Sequence, residues 1–197
     1  MIAYKGFNRD LTCTLGAGTY QYVPGKTVDE ERSNCARRGL HCTEYPLECF
    51  GWYSPLAGSR YYQVEAEGSI DECGGDAKIA CTRMTLIKEL NVFQMAAAGM
   101  MYMVKHPLRE WELQGYGYEI ARDRACASQK GAVAIARGPR PRVKGAAGTY
   151  LGLLVETLDG TILEAKAFRV GGRIRPDTWY TLEGRQVREE REEDPEA

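Results

Sequence analysis

Beyond Gly115 the sequence carries no helical periodicity, and no other feature constrains the fold of the chain as much. Small residues and glycines recur instead: residues 125–138 read ACASQKGAVAIARG and residues 143–154 read VKGAAGTYLGLL. This texture predicts short strands and tight turns with a beat of about six to eight residues, a small β-solenoid-like module. Strands are expected near 151–157 and 162–170. Between them stands Asp159-Gly160, a dipeptide that accepts the backbone angles of a two-residue hairpin. Residues 178–182 supply a last strand.

The part before Gly115 reads differently. Ile2-Ala3-Tyr4 opens as a short strand, and residues 8–26 are loop-rich. Thr27 followed by Glu30 forms a capping box, which predicts a helix to about Arg38 with Gly39 as its C′ residue. Pro46 starts a second, short helix over 47–53. Residues 60–67 (RYYQVEAE) alternate as a strand, residues 69–76 form a glycine-rich acidic turn, and 78–90 contain another strand. Asn91 caps a helix over 92–105 rich in Ala and Met. The expected fold is therefore α+β, an N-terminal α+β region over 1–112 packed on the β-rich module over 113–182. Residues 183–197 follow as an acidic, flexible tail.

The totals narrow the function classes. Twenty-six basic and 27 acidic side chains leave a net charge of −1, so no global affinity for nucleic acid is written into the composition. The balance is a cancellation. Residues 121–150 hold seven basic residues against the single acid Asp123, and residues 183–197 hold seven acids and three arginines. The longest apolar window, 92–104, is too short for a membrane span, which needs about 20 residues. The first ten residues carry no export signal, so a cytoplasmic setting with reduced cysteines and no membrane partner is expected. Seven cysteines are an odd number, which excludes complete pairing within one chain.

Several phrases carry a family resemblance. The opening AYKGF with Asp10-Leu11-Thr12-Cys13, Gly25-Lys26-Thr27, Gly39-Leu40-His41-Cys42 before Tyr45-Pro46-Leu47, Lys78-Ile79-Ala80, and the closing Arg175-Pro176-Asp177-Thr178-Trp179-Tyr180-Thr181-Leu182 occur in order. This pattern resembles an uncharacterised family of phage and prophage proteins. They join a YKGF-type N-terminal domain to glycine- and alanine-rich repeats and a PDTWYTL close. The resemblance implies a phage or prophage origin, a bacterial host cytoplasm and no known catalytic residues. It suits an accessory protein that binds a host macromolecule, a protein or protein–nucleic acid complex, and inhibits a defence system.

Four constellations bear on chemistry. An ADP-ribosyltransferase-like site, with NAD as its cofactor, would use Tyr4, Lys5, His41 and Tyr53 around a nicotinamide, with Glu65, Glu67 or Glu72 as the acid that stabilises an oxocarbenium-like centre. Lys5 stands where such sites place Arg or His. Cys42 beside His41 is a candidate nucleophile. Cys35, His41, Cys42 and Cys49 could in principle hold zinc, but adjacent residues rarely point to one centre, and no metal site is assigned. Partner binding falls to Trp52 and Tyr53 and to the cations Arg122, Arg124, Arg137, Arg140, Arg142 and Lys144, with nucleic acid as a possible partner. A merely solvated face competes with that reading, and Gly138, Pro139 and Pro141 are expected to interrupt any continuous basic strand.

Overall fold

In the computed structural model, which describes residues 1–14, 18–35, 37–72 and 77–190, both halves of the chain rest on β-sheets. The described residues are 53% strand and 12% helix, which overturns the expected α+β class while keeping the β-rich C-terminal half. Two units divide the chain, Met1–Tyr102 and Met103–Ala197.

Unit 1 contains β1 (Ile2–Phe7), β2 (Thr12–Cys13), β3 (Tyr20–Gln21), β4 (Thr27–Asp29), β5 (Leu40–Thr43), a 3-10 turn (Pro46–Glu48), α1 (Cys49–Trp52), β6 (Arg60–Glu72) and β7 (Lys78–Leu90). The second helix, α2 (Val92–Lys105), runs on past the division between units. β6 and β7 form a long antiparallel hairpin; β1 pairs with β6, and β5 with β7. β1 also meets β5, so the four strands close on one another. Alternation drives this packing. Tyr62, Val64 and Ala66 of β6 join Ile79, Cys81, Met84 and Leu86 of β7 and Ala3 and Phe7 of β1 in one buried cluster. Each large aliphatic side chain buried there contributes roughly 1.5–3 kcal/mol.

The helix expected over 27–38 does not form. Thr27, Val28 and Asp29 pair instead with Thr85, Met84 and Arg83 of β7. Val28 packs on the buried cluster, the Thr27 and Thr85 hydroxyls lie 2.8 Å apart, and Arg83 reaches Asp29 at 2.7 Å. A capping box stabilises a helix end by local hydrogen bonds alone. Here a β-branched residue gains burial by pairing across the sheet, and that wins. The other two helical expectations are met. Pro46 starts the 3-10 turn that leads into α1. The Gln94 amide donates to Asn91 Oδ1 and the Asn91 amide to Gln94 Oε1, both at 2.9 Å, a reciprocal cap for α2. Of the acidic turn expected over 69–76, residues 69–72 extend β6, and residues 73–76 lie outside the described residues.

Unit 2 comprises β8 (Leu113–Gly115), β9 (Tyr118–Ala127), β10 (Val133–Gly145), β11 (Tyr150–Glu156), β12 (Ile162–Arg169), β13 (Tyr180–Glu183) and β14 (Gln186–Glu189). β9, β10 and β11 are parallel: Val133 lies beside Tyr118 on one side and Tyr150 on the other. The repeat is therefore about 16 residues, twice the expected beat. Residues 133–138 of this central strand are buried throughout, which explains a run of alanine, valine and isoleucine with no polar alternation. β11 and β12 form the hairpin expected around Asp159-Gly160. The tail begins later than residue 183. β13 and β14 pair from Tyr180–Glu189 to Glu183–Gln186, because acids there find arginines: Glu189 meets Arg175, and Glu190 meets Arg142 at 2.8 Å. Residues 191–197 lie outside the described residues.

Candidate ligand-binding cleft

β1 and β5 share one register pair, Tyr4 opposite Thr43. Toward Gly6 and His41, the Lys5 ammonium bridges them by donating to the His41 carbonyl at 2.5 Å. A cleft of about 710 Å³ opens here, within the range of small-molecule sites. Its floor is unusual. Lys5 is only 8% exposed and lies 5.6 Å from the Phe7 ring centre and 5.4 Å from that of Tyr22. Among the described residues, no carboxylate lies within ion-pair distance of it. Cation–π contacts offset part of the desolvation of a buried ammonium, but they supply no counter-charge.

The aromatic wall is fixed by a glycine. A Cβ built on Gly6 would lie 2.7 Å from Tyr53 Cδ2 and 2.9 Å from Tyr53 Cβ, so only glycine lets the tyrosine lie against β1. The Tyr53 hydroxyl donates to the Cys13 sulfur at 3.1 Å, and the Tyr61 hydroxyl donates to the Tyr53 carbonyl. Burial, together with the bond to Cys13, holds the Tyr53 phenol well above its ordinary range. Trp52, 43% exposed, faces the cleft with the Lys78 ammonium 5.1 Å from its ring centre. His41 is partly buried; that burial, then Lys5 and Lys78, pushes its imidazole below the usual value, so the neutral ring dominates at pH 7.

Tyr4, Lys5, His41, Trp52 and Tyr53 thus line one cleft, and Cys42 borders it from the buried cluster. The three candidate acids do not. Val64 and Ala66 point into the core, so strand alternation turns Glu65 and Glu67 out to solvent, and Glu72 is exposed at the far end of β6. Cys42 is held as a neutral thiol, which is the reverse of what an activated nucleophile needs. Its thiol is buried and hydrogen-bonded to Cys81, and both effects raise its pKa. Cys35 is disulfide-bonded, which corrects the expectation of reduced cysteines throughout; Cys13, Cys42, Cys49, Cys81 and Cys126 are free. Among the described residues, no group of three or more His, Cys, Asp or Glu could hold a metal ion. The cleft also recruits Glu30, Glu31, Arg32, Arg37 and Arg38 from the connection between β4 and β5, and Lys78 from β7. Read as one face of a helix, these charges give no hint of the cleft. The signal available was their crowding just before Gly39-Leu40-His41.

The basic segment of unit 2 splits in two. Arg137, 2% exposed, is clamped to Glu156 at 2.6 Å and lies 4.9 Å from the Trp111 ring centre, with Arg122 at 5.6 Å from the same ring. Arg137 holds the fold together and is withdrawn from any partner surface, whereas Arg122, its side chain 56% exposed, stays at the surface with Glu112 and Glu156 as its ion partners. The others also stay outside. β10 runs through Pro139 and Pro141 without ending, because the two prolines fall where its register against β9 shifts, between Arg137 and Arg142. Beyond them, Pro141, Val143 and Gly145 are buried, while Arg140, Arg142 and Lys144 alternate outward. The expected interruption of the basic strand is thus a bulge, and the strand continues past it.

The family model of a domain of unknown function (DUF7666) matches residues 1–98, nearly the whole of unit 1. No curated protein and no solved structure matches the chain. Among the described residues, no helix is long and apolar enough to cross a membrane.

Proposed function

We propose that unit 1 is a binding module for a small ligand of the nucleotide class. Its cleft gathers the aromatic and basic groups of an ADP-ribosyltransferase-like site without the β6 glutamates expected as its acid; Glu30 and Glu31 are the carboxylates that line it. The observation that carries this reading is the floor of the cleft: a buried Lys5 with no carboxylate partner among the described residues, beside the neutral His41 and the Tyr53 ring. An anionic group satisfies the ammonium, an aromatic ring stacks on Tyr53 or Trp52, and the exposed Arg32, Arg37 and Arg38 at the rim suit phosphates. The candidate glutamates of β6 face solvent, and Glu30 and Glu31 reach the cleft from the β4–β5 connection beside the rim arginines, so we read the cleft as one that holds ligand without turnover. Binding without turnover also fits the phage or prophage accessory role that the motifs at the two ends imply, since such a protein acts stoichiometrically.

Thermal shift and calorimetric titration with NAD, ADP-ribose and nicotinamide test the proposal. NAD or ADP-ribose is expected to raise the melting temperature. Losing a charge-assisted hydrogen bond costs roughly 1.5–3 kcal/mol, so Lys5→Met should weaken binding by about 10-fold or more. Gly6→Ala should weaken it too, by pushing Tyr53 off β1. No release of nicotinamide from NAD is expected by chromatography. Absence of any shift with all three compounds would sink the reading.

A further inference from the structure

We propose that the outer face of the β9–β10 ladder in unit 2 is a binding surface for the phosphodiester backbone of single-stranded nucleic acid, centred on Lys144, Arg124 and Trp179. It does not depend on the cleft of unit 1. Arg140, Arg142 and Lys144 lie on alternate positions of one strand and face outward. Alternate residues of a strand are roughly 6.6 Å apart, so the three cations form a row that an extended chain of phosphates can follow. Arg124 stands beside Arg142 on the neighbouring parallel strand and widens the row.

The electrostatics of this row are unbalanced. The Arg124 guanidinium lies 5.2 Å and the Lys144 ammonium 4.9 Å from the same Trp179 ring centre. Two cations gathered on one indole repel each other. Among the described residues, neither has a carboxylate within ion-pair distance. Glu119, the nearby acid, accepts instead from the Cys126 amide at 2.7 Å. Arg142 alone is neutralised, by Glu190 at 2.8 Å. An incoming phosphate would relieve the repulsion between Arg124 and Lys144, and it would compete with Glu190 for Arg142. A row of cations along a single strand, with an indole at one end, favours one flexible phosphate backbone over a rigid duplex and over an acidic protein surface.

The test is fluorescence anisotropy of the full chain with a labelled 20-nucleotide oligothymidylate between 50 and 300 mM salt. Four phosphate contacts on a single strand predict that log Kd rises with log salt with a slope of about 2 to 3. Arg124→Ser with Lys144→Ser is expected to weaken binding by 10-fold or more at 100 mM salt and to lower the slope by about 1.4. Glu190→Gln, which frees Arg142, is expected to tighten binding by about threefold. Both changes lie at the surface, and an unchanged melting temperature verifies the fold; Lys144→Gln alone, with a smaller loss, serves if the double variant melts early. The proposal is overturned by an absence of binding at 50 mM salt, or by binding that the double substitution leaves intact. It is also overturned by a duplex that binds more tightly than the single strand, or by a polyglutamate peptide that displaces the oligonucleotide at equal charge concentration.

Discussion

His41 shows how a single residue reports its surroundings. Burial, Lys5 and Lys78 hold its pKa below the 6.5 of a free imidazole. The unfolded chain therefore takes up a proton near pH 6.5 that the native state refuses until lower pH. Stability gained from this residue is present above pH 6.5 and is lost as pH falls below it. His41→Gln should flatten the dependence of melting temperature on pH between 7 and 5, measured by calorimetry. An unaltered slope would place the imidazole in solvent. Cys42, its neighbour, faces the opposite way along β5 into the core, which is why adjacency in sequence did not make the two a catalytic pair.

At the level of elements, the clamp on β10 and β11 is a place where one substitution is costly. Arg137 and Glu156 are both nearly inaccessible and 2.6 Å apart. Glu156→Gln leaves a buried guanidinium uncompensated, and removing one partner of such a pair typically costs about 3–5 kcal/mol. Arg137→Met together with Glu156→Leu should cost much less, and denaturant unfolding of the two variants compares them. Sequence patterning found the elements whose signal is local: the Asn91 cap, Pro46 at the first turn, the strands over 60–67 and 78–90, the Asp159-Gly160 hairpin. It failed where partners distant along the chain decide. Val28 leaves its capping box because Met84 lies opposite it on β7. Glu65 and Glu67 look like a catalytic pair in the sequence, yet Val64 and Ala66 fix their side of the sheet. Pro139 and Pro141 look like stops, yet the register shift between β9 and β10 absorbs them. Of the cleft, the residues on β1, β5 and α1 are legible through their motif. The charges from residues 30–38 are not, because the Thr27–Glu30 capping box predicts a helix there.

Across the whole molecule, each unit has its own sheet and its own buried side chains, and the two proposed ligands fall on different units. Calorimetry should therefore show NAD raising the melting of unit 1 and the oligonucleotide raising that of unit 2, each leaving the other in place, as binding linkage requires. A shift of both by either ligand would mean that the units melt as one. The parallel ladder of unit 2 carries a separate consequence. Parallel pairing repeats by translation, and each strand offers the next one the same hydrogen-bonding edge. A chain built this way is extensible: a duplicate of residues 133–149 inserted after residue 149 would meet an acceptor edge already shaped for it. Length in this half is a variable that evolution can change by whole coils, without redesigning either end.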